Sequence, residues 1–354
     1  MEAASIPARA TRATPLTALQ AFLSRYGLII VLLALPVGFA VHDIASGHGL
    51  THIIQNLKDG VSNGAIWALV AIGYTLVYGI IELINFAHGD VFMIGSFVSF
   101  AMWGTLGVTL STGPLGVVGG LIVAGLIAMI ACGALNVMIE RVAYRPLRGA
   151  PKLAPLITAV GFSFILQNVG LEWLGGSPHG VDDLVRAQHI LFTVGGVQII
   201  NADVLAIGIT VPLVIVLVTF VNRTRLGRAM RATAQDPEAA RLMGINVDVT
   251  ISLTFLLGGL MAGAAGLIYA LYNTTVWFQQ GFEAGLIAFT AAVMGGIGNL
   301  QGAVLGGVII GCIQQISDDR INSTWTPAIV FAYLILIMVF RPQGLLGEET
   351  REAG

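Results

Sequence analysis

Apolar and polar positions fall in long blocks along this chain, not at the short period of a surface helix or strand. Apolar runs occupy 26–41, 61–81, 91–110, 115–138, 153–173, 204–221, 251–272 and 327–340. Most approach the roughly 20 residues that carry a helix across a bilayer. Two more runs, 286–294 and 303–316, are too short to span comfortably and are separated by GGIGNLQG. Two tilted crossings, a broken helix or a re-entrant pair all satisfy that pattern. The pattern therefore predicts an all-α, polytopic integral membrane protein. It has about eight to ten transmembrane helices, with a re-entrant or broken pair near 286–316.

Composition agrees. The chain is 56% hydrophobic and 10% charged with a mean hydropathy of +0.86, whereas a soluble domain carries about 25% charged residues. Its 45 glycines suit helices that must pack backbone to backbone, because lipid supplies no hydrophobic drive between them. Gly116/Gly120, Gly259/Gly263, Gly302/Gly306 and Gly307/Gly311 have the small-x-x-x-small spacing of such contacts. Cys132 and Cys312 both lie in apolar runs and imply no disulfide framework. Trp67, Trp173, Trp277 and Trp325 fall near expected membrane boundaries and read as interfacial anchors. The run at 26–41 could also be a signal-peptide core cleaved after Gly38-Phe39-Ala40, but a membrane helix is the reading adopted. A loop with His42, Asp43, His48, His52, Lys58 and Asp59 follows. Its histidines read as residues of an aqueous loop, and no metal site is expected.

Lysine and arginine fix the orientation. With the N-terminus inside and sides alternating, fourteen of the seventeen fall on one side. Only Lys58, Arg186 and Arg320 fall on the other. By the positive-inside rule the rich side is cytoplasmic. Residues 1–26 and 341–354 are then cytoplasmic tails flanking a transmembrane domain at 27–340, and the loop 222–249 is cytoplasmic.

That loop is the longest polar interval between two long apolar runs. Within it Asp236 can cap a helix, Pro237 suits the first helical position, and Glu238 sits where the helix dipole favours an anion. Gly244 can take the left-handed conformation that ends the helix. About seven residues of helix do not persist alone in water, so the segment needs something to pack against. A solvated connector is the plain reading. A docking knob for a soluble partner is the sharper one.

Glu82, Asn85, His88 and Asp90 lie in ELINFAHGD, at the junction of two apolar runs. Ionisable groups near membrane depth usually face a cavity, a partner or the interface. They read either as an interfacial turn or as the lining of a translocation path. Asn299 and Gln301 in GGIGNLQG form a second polar interruption, and paired interrupted helices point to a substrate path. The likeness between the two interruptions is slight.

Glu238-Ala239-Ala240 followed by Gly244 reproduces EAA-x-x-x-G, the loop pattern by which ABC-importer permeases engage their ATPases. Together with GYTLVYGIIELINFAHGD at 73–90, GGIGNLQGAVLGG at 295–307 and FRPQGLLG at 340–347, the chain resembles the LivH-type branched-chain amino-acid permeases over about 55–347. The resemblance implies an inner-membrane permease subunit of a binding-protein-dependent importer. It also implies a homologous second permease, two ATPase subunits, a periplasmic substrate-binding protein and surrounding membrane lipid. Asp236, Pro237, Glu238, Ala239, Ala240 and Gly244 would couple it to the ATPase. The substrate would be a branched-chain amino acid, another amino acid, urea or a small amide.

The chain has no G-x-x-x-x-G-K-[ST], H-E-x-x-H, C-x-x-C or G-x-S-x-G, so neither a phosphate loop nor these catalytic signatures are present. It is not expected to be an enzyme, to hold a cofactor or to bind nucleic acid, and ATP would be bound by partner subunits. A proton-coupled secondary transporter or channel using Glu82, His88 and Asp90 is the alternative reading. A purely structural membrane subunit is a third.

Overall fold

Helix boundaries follow the caps and breakers. The computed structural model describes residues 15–47, 49–109, 111–151 and 153–347. Twelve helices run α1 Pro15–Ala45, α2 Thr51–Ile81, α3 His88–Thr105, α4 Pro114–Ile139, α5 Leu153–Leu174, α6 Asn201–Arg223, α7 Arg225–Gln235, α8 Pro237–Leu242, α9 Val247–Asn273, α10 Gln280–Gly295, α11 Leu300–Ser317 and α12 Thr326–Phe340. Pro114 and Pro327 sit in the first turns of α4 and α12, where the missing N–H would have had no partner. Wider π-helical turns extend α4 over Glu140–Tyr144 and α11 over Asp318–Asn322. The protein is polytopic and all-α: among the described residues, six helical runs are long and apolar enough to cross a membrane. One of these runs holds both α11 and α12. The apolar stretch Ile29–Ala45, α3 and α10 are shorter or more polar.

Four short strands complete the fold. β1 (His179–Gly180) pairs antiparallel with β4 (Thr275–Val276). β2 (Ile190–Val194) and β3 (Val197–Ile200) form a hairpin. Its two turn residues, Gly195 and Gly196, both have positive φ, as the tight hairpin turn that matches strand twist requires.

The helices form an inner and an outer set. In α2 and α9, 83% and 72% of the apolar window is buried, against 28%, 28% and 22% for α4, α5 and α6. The inner contacts are backbone on backbone. A Cβ on Gly60 or Gly64 would stand 2.5 and 2.7 Å from the Cα atoms of Cys312 and Val308 in α11, and one on Gly307 would stand 2.6 Å from the Cα of Ala68 in α2. Gly259 and Gly263 face Cys132 and Ala128 of α4 in the same way, and Gly302 and Gly306 face Gly295 and Ala291 of α10. Gly116 and Gly120 instead meet only Thr112 and Val108 just before and beside their own helix. That fourth glycine pair makes no helix seam.

One end of the bundle gathers the segments around 82–87, 140–148, 222–249, 295–299 and 341–347. Tyr144 Oη donates to the Ile84 carbonyl (3.1 Å), Arg148 pairs with Asp248, and Asn299 Nδ2 donates to the Leu346 carbonyl (2.8 Å). This end is rich in arginine, with Arg141, Arg145, Arg148 and the five arginines of 222–249. Lys58 and Arg320 lie at the opposite end, paired with Asp203 (2.5 Å) and Asp43 (2.5 Å). Arg186 is there too, beside Asn201.

The structure corrects several expectations. The first helix starts at Pro15, well before 27. The loop expected at 42–60 is largely helical: α2 begins at Thr51, so His52, Lys58 and Asp59 are helical residues. Their ion pairs with α6 and the turn after α11 extend α2 by a regular amphipathic stretch that hydropathy alone reads as loop. Trp67 is no interfacial anchor. It is 4% exposed inside α2 and donates to Gln314 Oε1 (2.7 Å). The loop expected as polar at 174–201 carries the β2 side chains Ile190, Leu191, Phe192 and Val194 in exposed positions. His48, Lys152 and 348–354 lie outside the described residues, as does 1–14 of the expected N-terminal tail.

Candidate functional site

The loop 222–249 folds into two short helices held from both sides. Thr224 ends α6 and caps α7, its Oγ1 accepting from Gly227 N (3.0 Å). Gly227 is required there, because a Cβ would strike the carbonyl of Val221. Arg231 of α7 reaches back and donates to the carbonyls of Val221 and Asn222, at the C-terminus of α6, where a cation satisfies groups the helix leaves open.

Asp236 then caps α8 as its sequence position demands. Its Oδ1 accepts from both Glu238 N and Ala239 N at 2.9 Å. Pro237 is the first helical residue. Gly244 ends the turn at φ +82°, and Ile245 N donates to the Ala240 carbonyl (3.0 Å), the closing bond of a left-handed helix stop. Ala240 is buried, while Glu238 and Ala239 are exposed. Beside Gly244, Leu242 and Met243 are 89% and 82% exposed. Two adjacent apolar side chains so fully in water, on a helix capped at both ends, form a compact projecting knob. Asn246 then caps α9, accepting from Val249 N (3.1 Å).

The residues read as a translocation path are scattered. Glu82 is exposed at the end of α2, in the left-handed region at φ 50°. Asn85 is buried and joins a polar lock: its Nδ2 donates to Asn136 Oδ1 (3.2 Å), Tyr144 Oη donates to its Oδ1 (3.3 Å), and Asn136 Nδ2 donates to the Phe255 carbonyl (2.6 Å). His88 is fully buried against the edge of Tyr74 (4.9 Å between centroids). It fits because position 73 is glycine; a Cβ there would stand 2.6 Å from His88 Cε1. Neither imidazole nitrogen has a side-chain partner. Asp90 is also buried and accepts from Ser163 Oγ of α5 (2.5 Å). His88 and Asp90 are thus not joined to each other by a hydrogen bond.

Asn299 caps α11, accepting from Gln301 N and Gly302 N at 3.0 Å, and Gln301 is exposed. The second interruption approaches the end of α2: a Cβ on Gly79 would stand 3.4 Å from Gly298 Cα. The cavity beside them, lined by Gly79, Met230, Arg231 and Gly298 among others, is about 70 Å³. Ligand clefts measure roughly 300–1,000 Å³, so the bundle is closed to substrate at this point. A cavity of about 1100 Å³ lies away from the knob, between α4 and α6 over α9, with Leu121, Leu205 and Leu267 in its apolar wall.

Residues 56–339 match the family of branched-chain amino acid transport system permease components. The chain belongs to that family. The high-affinity branched-chain amino acid transport permease BraD of Pseudomonas aeruginosa is 39% identical over 304 residues, covering 85% of this chain and 98% of the relative. LivH of Escherichia coli K12 is 40% identical over 308 residues, covering 85% and 97%. A probable LivH of Methanocaldococcus jannaschii is 26% identical, covering 84% and 93%. The resemblance read from four sequence blocks is the family found.

In this permease-family chain, sequence reasoning missed one cluster at the arginine-rich end. Glu140, Arg145, Arg148, Asp248 and Ser252 converge there from two segments, 140–148 and the start of α9. The nearest signal in the sequence is the run of three arginines, Arg141, Arg145 and Arg148, which by itself names no acidic partner.

Proposed function

We propose that the chain is a membrane-spanning subunit of a binding-protein-dependent ABC importer for branched-chain or related amino acids. It lies in the bacterial inner membrane with both termini and the arginine-rich end in the cytoplasm. A homologous second permease, two ATPase subunits and a periplasmic binding protein complete the transporter. The knob at α8 carries the reading: a short capped helix presents Glu238, Leu242 and Met243 to water on the end richest in arginine. Nucleotide closure of the ATPases pushes on α8. Arg231 passes the push to α6, and the Gly244 turn passes it to α9. The helices rock, and the closed region around Gly79 and Gly298 opens in turn. ATP binding and hydrolysis belong to the partner subunits. The closed junction and the lack of a hydrogen bond between His88 and Asp90 favour this reading over a proton relay within the chain.

The test is a reconstituted complex with ATPase and binding protein. Glu238→Lys or Gly244→Pro is expected to leave membrane insertion intact and abolish receptor-stimulated ATP hydrolysis. Hydrolysis at the wild-type rate in both variants would defeat the reading.

A further inference from the structure

Glu140 is fully buried at the point where α4 opens into its π-helical turn, yet it carries a carboxylate. Burying a charge is tolerated only where it is paired and hydrogen-bonded. Both of its oxygens are engaged: Arg148 Nη2 pairs with Oε1, and Ser252 Oγ of α9 donates to Oε2 (2.7 Å). Arg148 does not stop there. Its other terminal nitrogen donates to Asp248 Oδ1 (2.5 Å), while Arg145 Nη2 holds Asp248 Oδ2 (2.9 Å). One guanidinium thus bridges a buried acid at the end of α4 to an acid in the first turn of α9, using the planar fork that suits arginine to two carboxylates.

Position gives this cluster its meaning. Asp248 lies four residues beyond Gly244, and the intervening chain is fixed by the Ile245–Ala240 bond and the Asn246 cap. Whatever moves α8 therefore moves Asp248. The far side of the knob is tied to α6 through Arg231. Elsewhere α4 meets α9 through the Ser252–Glu140 and Asn136–Phe255 hydrogen bonds and the glycine seam farther up, but Asp248, the acid next to the knob, reaches the α4 end through Arg148 and Arg145.

We infer that Arg148, with Glu140 and Asp248, is a clamp that carries displacement of the α8 knob into α4. These are positioning residues; none touches substrate. The inference rests on the coupling role proposed above for α8.

The experiment has two readouts on the same variants. Spin labels placed at Gly149 and Ala239 as cysteines report the distance between the α4 end and the knob in the full chain in nanodiscs, with Cys132 and Cys312 replaced by alanine. Gly149 has open space around its Cβ position and Ala239 is exposed. A narrow distribution is expected in the parent. Asp248→Asn, which leaves the buried Glu140–Arg148 pair intact, is expected to broaden it at least two-fold, and Asp248→Glu to restore it. In the reconstituted complex Asp248→Asn is expected to lower uptake per ATP hydrolysed about five-fold or more, with ATPase co-purification within two-fold of wild type. An unchanged distribution in Asp248→Asn overturns the clamp, as does an unchanged uptake per ATP. Wild-type complex without ATP-driven uptake would count against the proposed function instead, and the label pair then decides the clamp alone.

Discussion

The inner helices and the arginine-rich end are held together by different physics. Between α2, α11, α10, α9 and α4 the contacts are glycine seams where backbones approach so closely that a methyl group would collide. Lipid offers no hydrophobic drive for helix association, so shape and van der Waals contact must do that work. At the arginine-rich end the chain meets water. Order there comes from four side-chain caps, at Thr224, Asp236, Asn246 and Asn299, and from the Glu140–Arg148–Asp248 cluster. A seam resists any change of side-chain size but transmits motion as a rigid body. Caps and exposed ion pairs each contribute only about 1 kcal/mol or less, yet they fix where a short helix points. The body is thus fixed by close backbone contact, and its charged end by directional polar bonds, which is the division of labour the proposed function requires.

The contrast can be broken most severely at a seam. Gly311→Leu would drive a side chain into the Gly64 backbone and is expected to leave no monodisperse protein after detergent extraction. Gly149→Leu, in open space, should extract like wild type. Next in size, Leu242→Asp with Met243→Asp should reduce ATPase co-purification at least ten-fold while the chain's own melting temperature stays unchanged. Both side chains are largely exposed, so the substitutions remove little packing. Removing the polar lock comes third. Asn136→Ala strands the Asn85 amide and the Phe255 carbonyl, and an unsatisfied buried group costs about 1–3 kcal/mol, readable as a lower denaturation midpoint. The smallest expected loss is at a cap: Asn299→Ala should cost about 1 kcal/mol in the same assay, with uptake per ATP unaltered.

Much of this was legible before the fold was seen, for identifiable reasons. Asp236, Pro237 and Gly244 act through backbone geometry within a few residues, so the sequence states their roles directly. The glycine pairs at 259/263, 302/306 and 307/311 were legible as seams because close approach admits little else. The pair at 116/120 shows the limit, since spacing does not say whether a second helix arrives. What the sequence does not show is that Asn85 holds a buried lock and Asn299 caps a helix while also bonding the Leu346 carbonyl. Their partners, Asn136, Tyr144 and Leu346, lie 51, 59 and 47 residues away, and such pairing cannot be read locally. The Glu140–Arg148–Asp248 cluster was hidden for the same reason, with 100 residues between Arg148 and Asp248.

The central claim is that an otherwise passive membrane body offers α8 to the cytoplasm for another protein to move. The most direct test is the sidedness of Ala239→Cys in a chain with Cys132 and Cys312 replaced by alanine, probed with a membrane-impermeant thiol reagent on oriented vesicles. Labelling of inside-out vesicles alone is the predicted result. Labelling from the periplasmic face of right-side-out vesicles would contradict the account.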